Sequence, residues 1–246
     1  CLNFGNPEKP ERMGEFYEAT RGLGDSAREL DLPFMSGNVS FYNESIKTAV
    51  PPTPEIMGIG IVDDIRKCVT SDFKKEGNTI YLVGNDTKKE MRGSEYYKSQ
   101  NLKGGQVPKS DLKILKTCIK GILESINTNL VASCHDISEG GLAVCISEMC
   151  IGGNLGANID LKNLSKNLRA DFKTFSESNT RWIVEVQKNK QKDFEKTLKN
   201  NNTPFKKIGV VEGEKLVIID ENKEIIDLSI DNLRESWKNS IWNKMG

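Results

Sequence analysis

The spacing of apolar positions predicts a long amphipathic helix near the start of the chain. Between Met13 and Leu30, apolar residues recur at every third or fourth position, as they do along one face of a helix. Asp31 and Pro33 follow this run, and they are expected to end the helix because proline lacks the amide hydrogen that a helix needs. The pattern therefore predicts one helix that stops at about residue 30.

Two short apolar runs after this helix predict strands, at residues 33–35 and 56–62. Prolines between them predict an extended connector, because each proline restricts its own backbone and that of its predecessor. These prolines are Pro51, Pro52 and Pro54. One helix and about two strands are too few to close a layered core. We therefore expect residues 1–66 to be half of a domain whose other half is absent.

From residue 67 onward the pattern predicts a complete domain. Strand-like and helical runs alternate at first, and later strands follow one another directly, which is typical of an α+β fold with a partly antiparallel sheet. The predicted strands cover residues 79–83, 130–134, 157–161, 181–187, 205–211, 215–219 and 224–228. The predicted helices cover residues 141–151, 190–200 and 231–242, and a further helix is expected to begin at Ser110 as its cap. The sequence thus predicts half of an α/β domain at residues 1–66 and a complete domain at residues 67–246.

Composition excludes several classes of protein. Of all residues, 37% are hydrophobic and 28% are charged, and 35 basic residues balance 35 acidic ones. A balanced charge gives no long-range attraction for nucleic acid or for an anionic membrane surface. No apolar run approaches the about 20 residues that span a bilayer, and the chain opens with no secretory signal. These features predict a cytoplasmic protein without nucleic-acid or membrane partners.

The six cysteines and the single histidine, His135, argue against a metal cluster. No two cysteines form a CxxC pair, and Cys134, Cys145 and Cys150 lie in apolar segments, so we expect reduced thiols. The chain begins at Cys1 and runs at once into a loop-like segment rich in glycine and proline. We therefore expect a fragment or a processed chain.

The segment Ser36-Gly37-Asn38-Val39-Ser40 is the first that offers phosphate chemistry. Gly37 lets the backbone come close to a phosphate because glycine has no Cβ. The side-chain oxygen of Asn38 suits Mg²⁺ when phosphates supply the negative charge, and Ser40 can donate hydrogen bonds through its hydroxyl and its amide. The same residues also fit an ordinary turn after a strand, so both interpretations stay open.

The glycine-rich turn at residues 134–142 is the second such segment. It lies between a predicted buried strand and an apolar helix, where free amides and the helix dipole attract anions. Asp136 can bind a metal ion there, and Ser138 can bind a phosphate. His135 is either a general base or, together with Asp136, a residue that holds the turn in shape.

A third polar segment, residues 175–181, precedes a predicted strand. In it, Glu177 and Arg181 form either a structural ion pair or part of a ligand site, and their spacing favours the ion pair. The sequence contains no P-loop and no Gly-x-Gly-x-x-Gly after a strand. The two common glycine-rich phosphate motifs are therefore absent.

Several of these segments together resemble the synthetase subunit of phosphoribosylformylglycinamidine synthase in its small, multi-subunit form. In sequence order they are residues 2–11, 36–44, 52–54, 135–142 and 176–181. The resemblance implies an α/β fold similar to that of aminoimidazole ribonucleotide synthetase. The chain would contain the C-terminal half of the second ATP-binding domain and then a complete mixed-sheet domain.

The resemblance implies a ligase of purine biosynthesis. ATP and glutamine-derived ammonia would convert formylglycinamide ribonucleotide into the amidine, with ADP and phosphate as the other products. ATP would phosphorylate the formamide oxygen, and ammonia would then displace phosphate, with Mg²⁺ and positioned amides stabilising the transferred charge. The implied partners are a glutaminase subunit, a small accessory subunit and the missing N-terminal half of the synthetase.

The resemblance also assigns roles to five residues. Gly37 and Ser138 would bind ATP, Ser40 would bind the substrate, and Asn38 and Asp136 would bind Mg²⁺. Asp136 and Ser138 would serve either the reacting nucleotide or a structural one. The family's catalytic histidines and its ATP-contacting lysine belong to the absent N-terminal part, so no catalytic residue is expected in this chain and the chain alone is expected to be inactive.

Two alternatives remain. One is another enzyme of the same superfamily, such as aminoimidazole ribonucleotide synthetase or a thiamine-monophosphate or selenophosphate kinase-like protein; residues 2–7 and 36–40 argue against it. The other is a non-catalytic module that docks the glutaminase and accessory subunits. Nucleotide affinity separates these possibilities, because a pure docking module would have none.

Overall fold

A computed structural model describes residues 1–245 as two compact units, one ending at Asp63 and the next beginning at Asp64. The sequence predicts this boundary a few residues later, after residue 66. Among the helices of the described residues, none is long and apolar enough to cross a membrane.

The first unit contains one long helix and three very short strands. Its elements are β1 at Leu2–Asn3, α1 at Pro10–Leu30, β2 at Val39–Ser40 and β3 at Thr53–Pro54. Pro10 begins α1, at a position where an amide hydrogen would have no acceptor within the helix, so its absence loses no hydrogen bond. Asp31 ends the helix in a left-handed conformation. β1 lies between its neighbours, parallel to β2 and antiparallel to β3. The predicted helix and its end are confirmed.

Both strand predictions in this unit are wrong. Residues 33–35 and 56–62 belong to no strand of the described chain, and their apolar side chains are exposed: Met35 is 89% exposed and Ile61 93%. A short apolar run becomes a strand only when a neighbouring strand pairs with its backbone. The small sheet of this unit offers such pairing elsewhere, at β1, β2 and β3.

The interior of the first unit is very small. Within residues 1–63, only Phe4 and Gly5 are buried, and α1 has no buried residue. Phe4 packs edge-on against Phe16 with ring centroids 5.2 Å apart, and Phe16 packs in the same way against Phe41 at 4.9 Å. The unit therefore leaves much of its apolar surface uncovered.

The second unit is built on a seven-stranded mixed sheet. In chain order the strands are β4 at Thr79–Gly84, β5 at Val131–Asp136, β6 at Ala157–Asp160, β7 at Arg181–Val186, β8 at Phe205–Val211, β9 at Lys215–Asp220 and β10 at Lys223–Ser229. In space the order is β10-β9-β6-β8-β4-β7-β5. β6 and β9 are parallel and the other neighbours are antiparallel. The predicted α+β fold with a partly antiparallel sheet is confirmed.

Helices cover both faces of this sheet. They are α2 at Glu95–Ser99, α3 at Leu112–Asn127, α4 at Gly141–Gly153, α5 at Ala170–Phe175, α6 at Gln191–Asn200 and α7 at Ile230–Met245. Leu142 of α4 shares one apolar cluster with Ile80 of β4, whereas Phe194 of α6 shares another with Tyr81 of the same strand. Since successive strand residues face opposite sides, both faces of the sheet are buried.

Ser110 does not cap α3, contrary to the sequence prediction. The cap is Asp111, whose carboxylate accepts the backbone amides of Lys113 and Ile114, both at 3.1 Å. Aspartate and serine are about equally good caps, so the choice between adjacent candidates depends on the backbone conformation that the chain adopts there. The hydroxyl of Ser110 instead accepts a hydrogen bond from Asn179 at 2.9 Å.

Candidate functional site

Residues 34–39 line an open concavity of about 1050 Å³ in the first unit. Part of its wall comes from α1, with Thr20, Leu23 and Gly24, and part from the ends of the unit's short strands. Phe34 contributes an apolar surface, whereas Ser36 to Asn38 contribute a polar one. The concavity therefore combines an apolar wall with a polar segment.

Gly37 and Asn38 are both exposed in this concavity. A Cβ added to Gly37 would meet no atom of the described chain within 4 Å, so packing within the chain does not require glycine there. The Asn38 carbonyl accepts the Leu2 amide at 3.0 Å, which fixes the backbone. Within residues 1–245 the Asn38 side chain has no hydrogen-bond partner. Its amide is thus available to a ligand.

Ser40 is placed differently. It is only partly exposed, and it does not belong to the residues that line the concavity. Its hydroxyl lies 3.1 Å from Oδ1 and 3.0 Å from Nδ2 of Asn43. To donate to a substrate phosphate, this hydroxyl would have to leave Asn43.

Asp136 and Ser138 belong to the second unit, at the end of β5 and in the turn that follows it. Both are exposed, whereas Ile137 between them is buried and its amide donates to the Arg181 carbonyl at 2.9 Å. The buried residue anchors the turn, and its two neighbours present their side chains to solvent. The five predicted site residues are thus divided between the two units.

His135 connects β5 with α4. Its Nδ1 lies 3.3 Å from Oδ1 of Asp136, and its Nε2 lies 3.1 Å from Oε2 of Glu148. An imidazole held between two carboxylates is well suited to fix the end of the strand against the helix. These contacts support the interpretation that His135 holds the turn rather than acts as a base.

Two glycines close the turn. Gly140 and Gly141 have φ angles of 78° and 70°, a region that side chains rarely adopt. A Cβ on Gly141 would lie 2.8 Å from backbone atoms of Phe175 and Ser176. Glycine at 141 is therefore required by the close approach of two backbones.

Glu177 and Arg181 form no ion pair in the described structure, so the pairing that their spacing favoured is wrong. Oε1 of Glu177 accepts the backbone amides of Glu95 at 2.8 Å and of Gly140 at 2.9 Å. The Gly141 amide donates to the Ser138 carbonyl at 3.1 Å. Some of the amides that make a helix start attractive to anions are thus already bonded within the chain.

Arg181 is almost completely buried and donates three hydrogen bonds. They reach the carbonyls of Ser176 at 2.6 Å and Ser178 at 2.7 Å and the hydroxyl of Thr87 at 2.8 Å. Burial lowers the pKa of the guanidinium to about 10, so it stays charged at neutral pH. The segment 176–181 is therefore held from within by a buried cation.

The six cysteines are all free in the structure, as the expectation of reduced thiols requires. Burial raises the pKa of Cys118 to about 11 and those of Cys134 and Cys150 to about 12. These thiols stay protonated at neutral pH, where a thiol is a poor nucleophile and a poor metal ligand.

Sequence reasoning missed a buried carboxylate, Glu185, near the end of β7. It accepts the amides of Lys74 and Lys75, the side-chain amide of Asn78 and the hydroxyl of Ser133. One acidic residue between the apolar residues 182–184 and Val186 is the signal that could have revealed it. Three of these hydrogen bonds anchor the loop before β4 and the fourth ties Glu185 to β5, so Glu185 has a structural role.

Within residues 1–245, the oxygen ligands available to Mg²⁺ are isolated ones. The described residues contain no group of three or more His, Cys, Asp or Glu side chains that could hold a metal ion. Asn38 supplies one amide oxygen and Asp136 one exposed carboxylate. Mg²⁺ commonly takes one or two protein ligands and completes its shell with water and substrate phosphates. Each residue, in its own unit, therefore fits a magnesium ion that a nucleotide mainly holds.

Comparison with known families agrees with the fold of the second unit. The family described as "AIR synthase related protein, C-terminal domain" matches residues 75–221. This stretch runs from just before β4 to the end of β9. It covers more than half of the chain.

Curated relatives match almost the full chain. The PurL subunit of phosphoribosylformylglycinamidine synthase from Thermoplasma acidophilum is 39% identical over 241 residues, which are 98% of this chain and 31% of that relative. The corresponding subunit from Caldanaerobacter subterraneus is 41% identical over 242 residues, or 98% of this chain and 32% of the relative. The chain spans about a third of the length of these relatives.

Solved structures support the same fold. Thermotoga maritima PurL complexed with FGAR superimposes with a TM-score of 0.62 and 21% identity, over 69% of this chain and 30% of that one. The same protein complexed with ATP gives a TM-score of 0.56 and 21% identity, over 69% and 27%. The resemblance inferred from the sequence is thereby confirmed: the chain belongs to the AIR synthase related family and is similar along its length to the PurL subunit of phosphoribosylformylglycinamidine synthase.

Proposed function

We propose that this chain is part of an ATP-dependent ligase that makes formylglycinamidine ribonucleotide, and that its first unit holds nucleotide phosphate. The observation that carries the proposal is the concavity of about 1050 Å³ in which Asn38 is exposed and unpaired within the described residues. Gly37 beside it has room for a ligand to approach the backbone. The similarity to PurL subunits over 98% of the chain makes a nucleotide the ligand to test.

In the proposed reaction, the γ-phosphoryl group of ATP moves to the formamide oxygen of formylglycinamide ribonucleotide and ADP leaves. Ammonia derived from glutamine then adds to the same carbon, and phosphate departs with the oxygen. Mg²⁺, when bound, would neutralise phosphate charge, and Asn38 is the residue of the first unit that would hold it. Gly37 would bring backbone to the ATP phosphates, and Ser40 would orient the substrate after releasing Asn43.

The turn of the second unit is proposed as a further nucleotide site. Asp136 would hold Mg²⁺ there and Ser138 would donate to a phosphate. Both side chains are exposed at the end of β5, and the backbone between them is anchored by the buried Ile137. This nucleotide is either the reacting one or a structural one. No catalytic residue is proposed within the chain itself.

The proposed partners follow from the size of the relatives and from the surface of the first unit. Because the chain spans about a third of those relatives, a further part of the synthetase, a glutaminase subunit and a small accessory subunit are proposed to complete the enzyme. The proposed location is the cytoplasm. The uncovered apolar side chains of the first unit favour a second candidate function, a docking module without nucleotide affinity.

Thermal unfolding with Mg-ADP tests the proposal. A ligand at one hundred times its dissociation constant stabilises the folded state by about 2.7 kcal/mol, because only the folded state binds it. We expect Mg-ADP to raise the melting temperature of the parent chain and to raise that of Asn38→Ala much less. Asn163→Ala removes a comparably exposed asparagine from the second unit and should behave like the parent. An unchanged melting temperature of the parent would support the docking module instead.

A further inference from the structure

Glu177 joins two segments that are far apart in the sequence. Its Oε1 accepts the amide of Glu95 at the start of α2 and the amide of Gly140 just before α4. Gly140 follows directly on Ser138 and Glu139, which are exposed. A hydrogen bond from a backbone amide to a carboxylate is roughly twice as strong as one between neutral groups. One carboxylate oxygen therefore restrains the end of the turn that carries Asp136 and Ser138.

Arg181 holds Glu177 in place. Its Nη2 donates to the carbonyl of Ser176 and its Nε to the carbonyl of Ser178, so the backbone is fixed on both sides of Glu177. The Ser176 hydroxyl donates in turn to the Lys88 carbonyl at 2.7 Å. Arg181, Ser176 and Ser178 are each at most 1% exposed, and water does not compete for these bonds. Glu177 thus projects from a rigid support.

The same support contacts the turn at two other points. The Ile137 amide donates to the Arg181 carbonyl, and Gly141 packs directly on the backbone of Phe175 and Ser176. The turn is therefore attached to residues 175–181 at its beginning, and at its end through Gly141 and the Glu177 hydrogen bond. Only the stretch between these attachments is left free to meet a ligand.

The hydrogen bonds of the turn also determine where an anion can bind. The amide of Gly140 is taken by Glu177 and that of Gly141 by the Ser138 carbonyl. Within the described part of the chain, the amides of Ser138 and Glu139 have no acceptor. A negative carboxylate at the helix start would also repel a phosphate from that position. A phosphate is thus directed to Ser138 and Glu139.

We propose that Glu177 is a positioning residue for a nucleotide phosphate at the Asp136–Ser138 turn. It fixes the glycine end of the turn and places a carboxylate at the start of α4. The amides of Ser138 and Glu139 are then left for the ligand. The inference rests on the proposed nucleotide role of this turn. Glu177 itself does not touch the nucleotide.

Titration of the whole chain with Mg-ADP tests this role. All variants carry Asn38→Ala, so that the first unit contributes no binding. We expect Glu177→Ala to weaken Mg-ADP binding about tenfold, because a hydrogen bond to a charged group is lost from the support of the site. Glu177→Gln keeps an oxygen acceptor and should restore affinity to within about threefold of the parent. Asp136→Asn should abolish binding directly.

Glu76→Ala is the matched control. Oε1 of Glu76 accepts the amide of Gly213 at 2.8 Å, so this variant also removes a bond between a carboxylate and a glycine amide in the second unit. Its affinity for Mg-ADP should equal that of the parent. The amide resonance of Gly140 provides a second readout, since it should shift in Glu177→Ala and stay close to its parent position in Glu177→Gln.

The outcomes separate the two proposals. If Asp136→Asn loses binding while Glu177→Ala keeps it, Glu177 has no positioning role and the site stands. If Glu76→Ala loses as much affinity as Glu177→Ala, the effect is general destabilisation and the positioning role is overturned. If the parent does not bind Mg-ADP at this turn, the nucleotide site and the role of Glu177 are rejected together.

Discussion

Arg181 shows how one residue can organise a functional segment without touching a ligand. Its guanidinium is buried, and no carboxylate of the described residues lies within ion-pair distance of it. The guanidinium instead donates hydrogen bonds to two carbonyls and a hydroxyl. Such a cation is tolerated because each bond is short and shielded from water. The sequence indicated that Arg181 matters but suggested the wrong partner, because spacing cannot tell a carboxylate at 177 from the carbonyls on either side of it.

A pair of glycines gives a prediction at the residue scale. Gly141→Ala should destabilise the second unit by about 2–3 kcal/mol, because alanine is strained at this positive φ and its Cβ would collide with the Phe175 and Ser176 backbone. Gly37→Ala should leave stability unchanged, since a Cβ at 37 has open space around it. Calorimetric unfolding of both variants checks the contrast. Equal stability of Gly141→Ala and the parent chain would contradict the close approach at the turn.

At the scale of elements, the second unit was largely predictable and the first was not. The seven strands and the longer helices of the second unit follow the apolar pattern because each packs on a sheet that the same chain completes. In the first unit the apolar runs at 33–35 and 56–62 have the composition of strands, but no strand of the described chain pairs with them. α2 and α5 have five and six residues, too few for a helical repeat to show.

The cap of α3 gives a prediction at this scale. Asp111→Ala removes the acceptor of the Lys113 and Ile114 amides and should lower stability by about 1 kcal/mol. Ser110→Ala removes only an exposed bond to Asn179 and should cost less than about 0.5 kcal/mol. Urea unfolding followed by circular dichroism measures both. A larger loss for Ser110→Ala than for Asp111→Ala would restore serine as the cap.

At the scale of the molecule, the sequence named candidate site residues but not the geometry in which they lie. The sequence singled out Asn38 and Asp136 because their residue types and their place after predicted strands suit phosphate and Mg²⁺, and it singled out the segment 175–181 for its polar residues before a strand. It could not show that Ser40 is bonded to Asn43, nor that Glu177 occupies the helix start. These contacts depend on which backbone atoms come together in the fold, and that cannot be predicted from a single sequence.

The uncovered apolar surface of the first unit predicts how the isolated chain behaves in solution. Met35, Met57, Ile59 and Ile61 are each at least 84% exposed, an arrangement that favours self-association because burying such side chains removes apolar surface from water. We expect light scattering to show dimers or larger species, and we expect the double variant Ile59→Lys, Ile61→Lys to shift the distribution toward the single chain. Leu123→Lys, at a 53% exposed position of the second unit, is the control and should leave the distribution unchanged. A parent chain that stays monomeric at high concentration would mean that this surface does not drive association in water. Restoration of the monomer by the double variant alone would assign the association to residues 56–62, the apolar run that the sequence predicts as a strand and that pairs with no strand of the described chain.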